Sequence, residues 1–211
     1  MGARGLGGTS VGHPVSHYFD VDPPVSSHPG TVRLVLPDVV LDLGTDRGVF
    51  ARERVDPGTK LLLLEGPAPP PEGDLLDLGC GYGPIAVTLA RRAPRARVWA
   101  VDVNRRALAL TAANAETAGA ANVCAAAPEA VPEGVEFAGI WSNPPVRIGK
   151  AALQSLLVRW LARLAPDGRA WLVVHKHLGA DSLARWLEGE GFPTVRLRSR
   201  MGYRILQVGG S

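Results

Sequence analysis

Residues 74–84, Asp-Leu-Leu-Asp-Leu-Gly-Cys-Gly-Tyr-Gly-Pro, restrict the fold more than any other stretch. Leu75, Leu76 and Leu78, with Asp77 among them, read as a buried parallel strand. Gly79, Gly81 and Gly83 then let the backbone turn sharply into a helix. Pro84 suits the first position of that helix, because it has no N–H to leave unsatisfied and its φ is already helical. Strand, glycine turn and helix in that order open a βαβ unit, so the rest of the chain has to supply a parallel sheet.

The segments that follow do so. Residues 84–93 are predicted helical with Ile85, Leu89 and Ala93 on one face and a stop at Pro94. Residues 97–103 read as a strand, 104–118 as an alanine-rich helix capped by Asn104 and closed by Gly119, 123–127 and 137–142 as strands. A helix over 150–164, a strand over 170–175, a helix over 180–190 and a closing pair at 194–199 and 203–208 complete the pattern. The expected fold is one α/β, Rossmann-like domain with a mostly parallel seven-stranded sheet. Its 211 residues, 46% of them apolar, suffice for one such core but not for two. Upstream, residues 31–46 alternate and reverse at Pro37-Asp38, which predicts a β-hairpin. Asp56 to Thr59 precede Leu61–Leu64 as the cap of a short helix, and Pro67 and Pro69 to Pro71 form a stiff connector. The boundaries expected are therefore an irregular tail over 1–30, a hairpin and short helix over 31–71, and the core over 72–211. Within the tail, Tyr18 and Phe19 read as an anchor onto the domain or, alternatively, a lid.

Ligands of such sheets sit beyond the carboxyl ends of the strands, and three groups of residues fall there. The glycines are spaced G-x-G-x-G and are followed by a proline, whereas a dinucleotide turn needs helix N–H groups for its pyrophosphate. A ligand that approaches closely without a phosphate fits better, and S-adenosylmethionine is such a ligand. Asp102, 23 residues after Gly79, closes the second core strand, where a carboxylate can accept from both ribose hydroxyls. Its plainer role is a charge at a helix N-terminus. Asn143-Pro144-Pro145 follows the fourth strand. Two prolines give up backbone donors and stiffen the loop, which leaves the Asn143 side-chain oxygen and the Pro144 carbonyl as convergent acceptors for one exocyclic amino group. Holding both amine hydrogens turns the nitrogen lone pair out of conjugation and towards a methyl donor.

The run from Asp77 to Gly83, with Asp102 and Asn143-Pro144-Pro145, closely resembles the class I S-adenosylmethionine-dependent methyltransferases. More narrowly it resembles the small-domain family of rRNA guanine-N2 methyltransferases. Residues 45–50 and 56–64, and Ile148-Gly149-Lys150 after the loop, extend the resemblance to residues 18–208. It implies cofactor contacts at Asp77, Gly79, Gly81, Tyr82, Gly83, Asp102, Val103 and Asn143. Asn143, Pro144 and Pro145 would be catalytic, and Phe50, Val146, Arg147 and Lys150 would meet the substrate. The family often has Phe or Tyr where this chain has Val146, so base stacking is either weaker or comes from elsewhere, with Tyr18, Phe19 and Phe50 as candidates. The third strand ends in Ala126-Ala127-Pro128 rather than in an acid, which leaves the adenine amino contact unassigned, with Glu129 a candidate substitute. Better-characterised members carry a second, degenerate domain, and the resemblance here spans one. Alternatives are methylation of a protein glutamine or a small molecule, since the same loop serves any planar amide or aromatic amine. A non-catalytic binding module is a further alternative, against which the intact Asn143 speaks.

A net charge of +3 and a pI near 9.2 permit an RNA partner without requiring one. Arg147 and Lys150 flank the catalytic loop, where phosphates beside a flipped base would pass. Arg196, Arg198 and Arg200 alternate along a strand and read as solvated charge. His175 and His177 lack cysteine partners and ligand spacing, so no metal is expected. Met1 to Ser10 has no apolar core and the longest apolar runs are too short for a bilayer, so neither a signal peptide nor a membrane span is expected. Cys80 and Cys124 as free thiols suit a reduced, cytosolic compartment. No feature of the sequence sets an oligomeric state.

Overall fold

The computed structural model describes residues 25–209; Tyr18 and Phe19 lie outside the described residues. Alternation becomes an antiparallel hairpin, β1 (Gly30–Val35) and β2 (Val40–Thr45), in which Val32 faces Leu43 and Leu34 faces Leu41 on one buried side. Its tip is fastened by Arg92, whose guanidinium grips both carboxylate oxygens of Asp38 at 2.7 and 2.9 Å and donates a third bond to the Leu63 carbonyl. Helix α1 (Pro57–Glu65) follows, capped by Asp56 as expected, with Leu61, Leu62 and Leu63 buried.

The core elements are β3 (Asp74–Leu78), α2 (Pro84–Arg92), β4 (Arg97–Val101), α3 (Arg105–Thr117), β5 (Val123–Ala126), β6 (Phe137–Ser142), α4 (Lys150–Leu161), β7 (Leu164–His175), α5 (Ala180–Gly189), β8 (Thr194–Arg200) and β9 (Tyr203–Val208). The strands form one seven-stranded sheet in the order β5-β4-β3-β6-β7-β9-β8, with β9 antiparallel to its neighbours. Successive residues of each strand enter opposite cores. Leu75, Val98, Trp141 and Val173 pack with the hairpin and α1 to α3, whereas Leu76, Trp99, Ile140 and Leu172 pack with α4 and α5.

Two details differ from the sequence reading. Helix α4 stops at Leu161 and β7 starts at Leu164, six residues before the expected strand. Phe137 pairs with Leu164 and Gly139 with Arg169, and the slack between them is a bulge that takes in Pro166 and Gly168. The arginines of β8 do not share one uninterrupted face, because the register shifts between Arg196 and Arg198. Arg198 and Arg200 instead reach Glu65 at the end of α1.

Candidate active site

The carboxyl ends of β3, β4, β6 and β7 surround a cavity of about 290 Å³. On its β3–β4 side four N–H groups of the glycine turn are engaged within the protein. The Gly79 and Cys80 N–H groups both donate to the Val101 carbonyl (2.8 and 3.0 Å), that of Gly81 to Asp102 Oδ2 (2.9 Å) and that of Gly83 to the Cys80 carbonyl (2.9 Å). Pro84 has none to give. These donors are therefore engaged inside the protein rather than turned to a phosphate. Gly83 admits no side chain: its φ is +87°, and a Cβ there would lie 2.9 Å from Thr111.

Asp102 accepts from Gly81 N and, at 3.0 Å through Oδ1, from Asn104 N, which leaves lone pairs on both oxygens at the cavity wall. Burial pushes its pKa up while the backbone N–H groups pull it back. Asp77 does not line the cavity. It lies fully buried under the turn, where Oδ2 accepts from Ala86 N (2.9 Å) and Oδ1 has no partner. Burial, with a smaller push from the Asp102 charge, raises its pKa to about 8, so the carboxyl is largely protonated at neutral pH. Tyr82 lines the cavity with a hydroxyl that is buried and unpartnered; burial and the Asp56 charge push its pKa up, which keeps the proton on. Val103 lies at the same rim, with Pro128 lining the cavity too; Gly83, Glu129 and Lys150 are not among the lining residues.

On the β6–β7 side, Ser142 Oγ donates to the Leu78 carbonyl (2.7 Å) and holds the end of β6 against that of β3. This brings Asn143-Pro144-Pro145 alongside the glycine turn. The Pro144 carbonyl accepts from Val146 N (2.8 Å) in a tight turn centred on Pro145, so one of its two lone pairs is already engaged. Asn143 Nδ2 donates to Asp56 Oδ1 (2.8 Å) and to Thr59 Oγ1 (3.0 Å). Arg147 and Val146 line the cavity, and Lys150 stands exposed at the first residue of α4.

The lead-in segment before α1 forms the roof. Asn114 binds both backbone groups of Gly44 and the Tyr82 carbonyl, Asn104 Nδ2 donates to the Gly48 carbonyl (2.8 Å), and Arg106 donates to the Arg47 carbonyl (2.6 Å) beside Asp46. Val49 and Phe50 are thereby held at the cavity, Phe50 partly exposed. Sequence reasoning missed Asp56, Thr59, His175 and Tyr203 as cavity residues. Asp56 was visible only as a helix cap, and His175 and Tyr203 meet edge to face, 4.8 Å between ring centroids, only because β7 and β9 pair. Among the described residues no cluster of His, Cys, Asp or Glu could hold a metal ion, and no helix is long and apolar enough to cross a membrane.

Comparison with known proteins agrees with this geometry. The family described as methyltransferase small domain matches residues 40–207. An uncharacterized protein of Bacillus subtilis, YbxB, is 35% identical over 196 residues, covering 91% of this chain and 97% of its own. The ribosomal RNA small subunit methyltransferase C of Pseudomonas putida is 33% identical over 194 residues, 88% of this chain and 56% of the relative. Among solved structures, the T. thermophilus 16S rRNA N2 methyltransferase in complex with AdoMet and guanosine superposes with a TM-score of 0.74 at 27% identity, over 90% of this chain and 52% of that one. The chain spans about half the length of these two rRNA methyltransferases. With four-fifths of its length matched by the family and the expected mostly parallel seven-stranded sheet and glycine turn in place, the chain belongs to the methyltransferase small domain family and has the class I fold of S-adenosylmethionine-dependent methyltransferases.

Proposed function

We propose that this chain methylates an exocyclic amino group, N2 of a guanine in small-subunit rRNA. The observation that carries this reading is the Asn143 side chain, whose two amide N–H groups are both engaged so that Oδ1 remains as an acceptor beside the glycine turn. Residues 72–211 form the catalytic unit, and residues 31–71 complete its site.

The donor set fits S-adenosylmethionine. Asp102 has lone pairs for ribose hydroxyls, the Tyr82 hydroxyl offers a buried donor to the amino-acid end, Val103 and Pro128 offer apolar surface to the adenine, and the glycine turn, with four N–H groups engaged, asks for no phosphate. When bound, the cofactor supplies an electrophilic methyl group on a positively charged sulfur. Asn143 Oδ1 and the remaining lone pair of the Pro144 carbonyl would accept the two amine hydrogens, which orients the nitrogen lone pair and stabilises the positive charge that develops on it. Asn143 is no base, so the proton leaves to water. Phe50 and Val146 present apolar surface to the base, and Arg147 at the cavity with Lys150 on α4 offers charge to RNA phosphates. The names of the relatives and the guanosine in the T. thermophilus complex support rRNA over protein or small-molecule substrates.

The test is transfer of labelled methyl from S-adenosylmethionine to small ribosomal subunits, deproteinised rRNA and protein extract, all from cells lacking this chain. Label recovered as N2-methylguanosine is the expected result. Label confined to protein or small molecules would overturn the substrate, and no label in any fraction would overturn the activity.

A further inference from the structure

We propose that Asp56, the N-cap of α1, and Thr59, in its first turn, both outside the sheet, are positioning residues for Asn143; this rests on the acceptor role of Asn143 given above. An asparagine ends in two branches of similar shape and opposite chemistry, one accepting and one donating. Turned over, Asn143 would present two donors to an amine that needs acceptors. Asp56 prevents this, because a carboxylate can only accept and so the amide nitrogen must face it, at 2.8 Å. Thr59 Oγ1 takes the other N–H at 3.0 Å, and the hydroxyl is buried with its residue. Oδ1 is then the branch left for the substrate.

The same Asp56 oxygen also accepts from Gly58 N (2.8 Å) and Thr59 N (3.0 Å), so it caps α1 and orients Asn143 at once. The helix end is set in place by a close approach at Gly58. A Cβ there would fall 2.6 Å from Tyr203 Cε1, and Tyr203 in turn meets His175 at the end of β7. Glycine at this position lets α1 come near enough for Asp56 to reach across 87 residues of sequence to the catalytic loop. The segment before the core therefore completes the site by controlling which end of one amide faces the substrate.

Three variants test this on the full chain. Asp56→Ser keeps a good helix cap but is too short to hold the Asn143 amide. Asp56→Asn keeps an acceptor oxygen at the same reach without the charge, and Thr59→Val removes the second acceptor. With deproteinised rRNA as substrate, Asp56→Ser should lower kcat about 100-fold, the scale of a misplaced reacting group, with KM for S-adenosylmethionine changed less than about twofold. Asp56→Asn should recover kcat to within about tenfold of the parent, and Thr59→Val should fall between the two. The side-chain amide protons of Asn143, followed by NMR hydrogen exchange without substrate, should lose protection in Asp56→Ser. Unchanged kcat in Asp56→Ser, or Asp56→Asn as impaired as Asp56→Ser, would overturn the positioning role. Should the parent protein methylate no RNA at all, the substrate reading fails separately, and retained amide protection in Asp56→Ser would still overturn the positioning role.

Discussion

The two walls of the cavity are built differently. On the β3–β4 side the turn is shaped by backbone: Gly79, Cys80 and Gly81 donate to Val101 and Asp102, partners 21 to 22 residues away, and three positive φ angles set the path. On the β6–β7 side the decisive contacts join side chains from distant elements, with Asn143 held by Asp56 and Thr59 across 87 and 84 residues and His175 meeting Tyr203 across a strand pair. Backbone geometry tolerates changes of side chain and so suits a cofactor shared by many enzymes. Side-chain assembly can be altered one residue at a time and so suits the part that recognises a substrate.

If the two walls are separable, Asn143→Ala should reduce methyl transfer by roughly 100- to 1,000-fold, the cost of losing a preorganised polar group at developing charge. The dissociation constant for S-adenosylmethionine, measured by calorimetry, should stay within about twofold of the parent value. A parallel loss of cofactor affinity would mean that the walls act as one. The converse change is Asp102→Ala, which should weaken S-adenosylmethionine binding by about 1.5 to 3 kcal/mol, as for hydrogen bonds to a charged group. An unchanged dissociation constant would remove Asp102 from the cofactor side.

The smallest effect concerns stability. Asp77 is held up at about pKa 8 against 3.8 for an unperturbed carboxyl, so between those values the folded chain keeps a proton that the unfolded chain has lost. Its contribution is full below pH 3.8 and is lost as the pH rises towards 8. Asp77→Asn keeps an acceptor for Ala86 N–H and cannot ionise. It should therefore flatten the fall of the melting temperature between pH 5 and 8 and raise it at the upper end. Asp102, also raised by burial, leaves a residual slope. An identical pH dependence in Asp77→Asn would show that the Asp77 carboxyl does not titrate with unfolding.

The glycine turn was legible because its determinants are local. Glycines at alternate positions, a proline at the first helical position and an acid at a strand end each leave a mark within one βαβ unit. Asn143-Pro144-Pro145 was legible for the same reason, since two consecutive prolines are conspicuous in any loop. The Pro144 carbonyl shows the limit of that approach, because its bond from Val146 N depends on the turn that Pro145 adopts. β7 starts before the expected boundary because Pro166 and Gly168, residues that ordinarily interrupt a strand, are absorbed in a bulge by pairing with β6. Alternation alone would put Arg196, Arg198 and Arg200 on one face of β8, and the register shift between Arg196 and Arg198 interrupts it.

The sequence alone determined the sheet and its alternating helices, the glycine turn after β3, and the two-proline loop at the end of β6. Each follows from periodicity and from the restricted dihedrals of glycine and proline, which act over a few residues. Only the tertiary structure decided that Asp56 and Thr59 accept from the Asn143 amide, that Gly58 makes room for Tyr203, and that Asp77 is a buried, mostly neutral strut rather than a wall of the cavity. A hydrogen bond between residues 56 and 143, like the desolvation of a carboxyl, depends on which surfaces come together when the chain packs, and no local pattern records that.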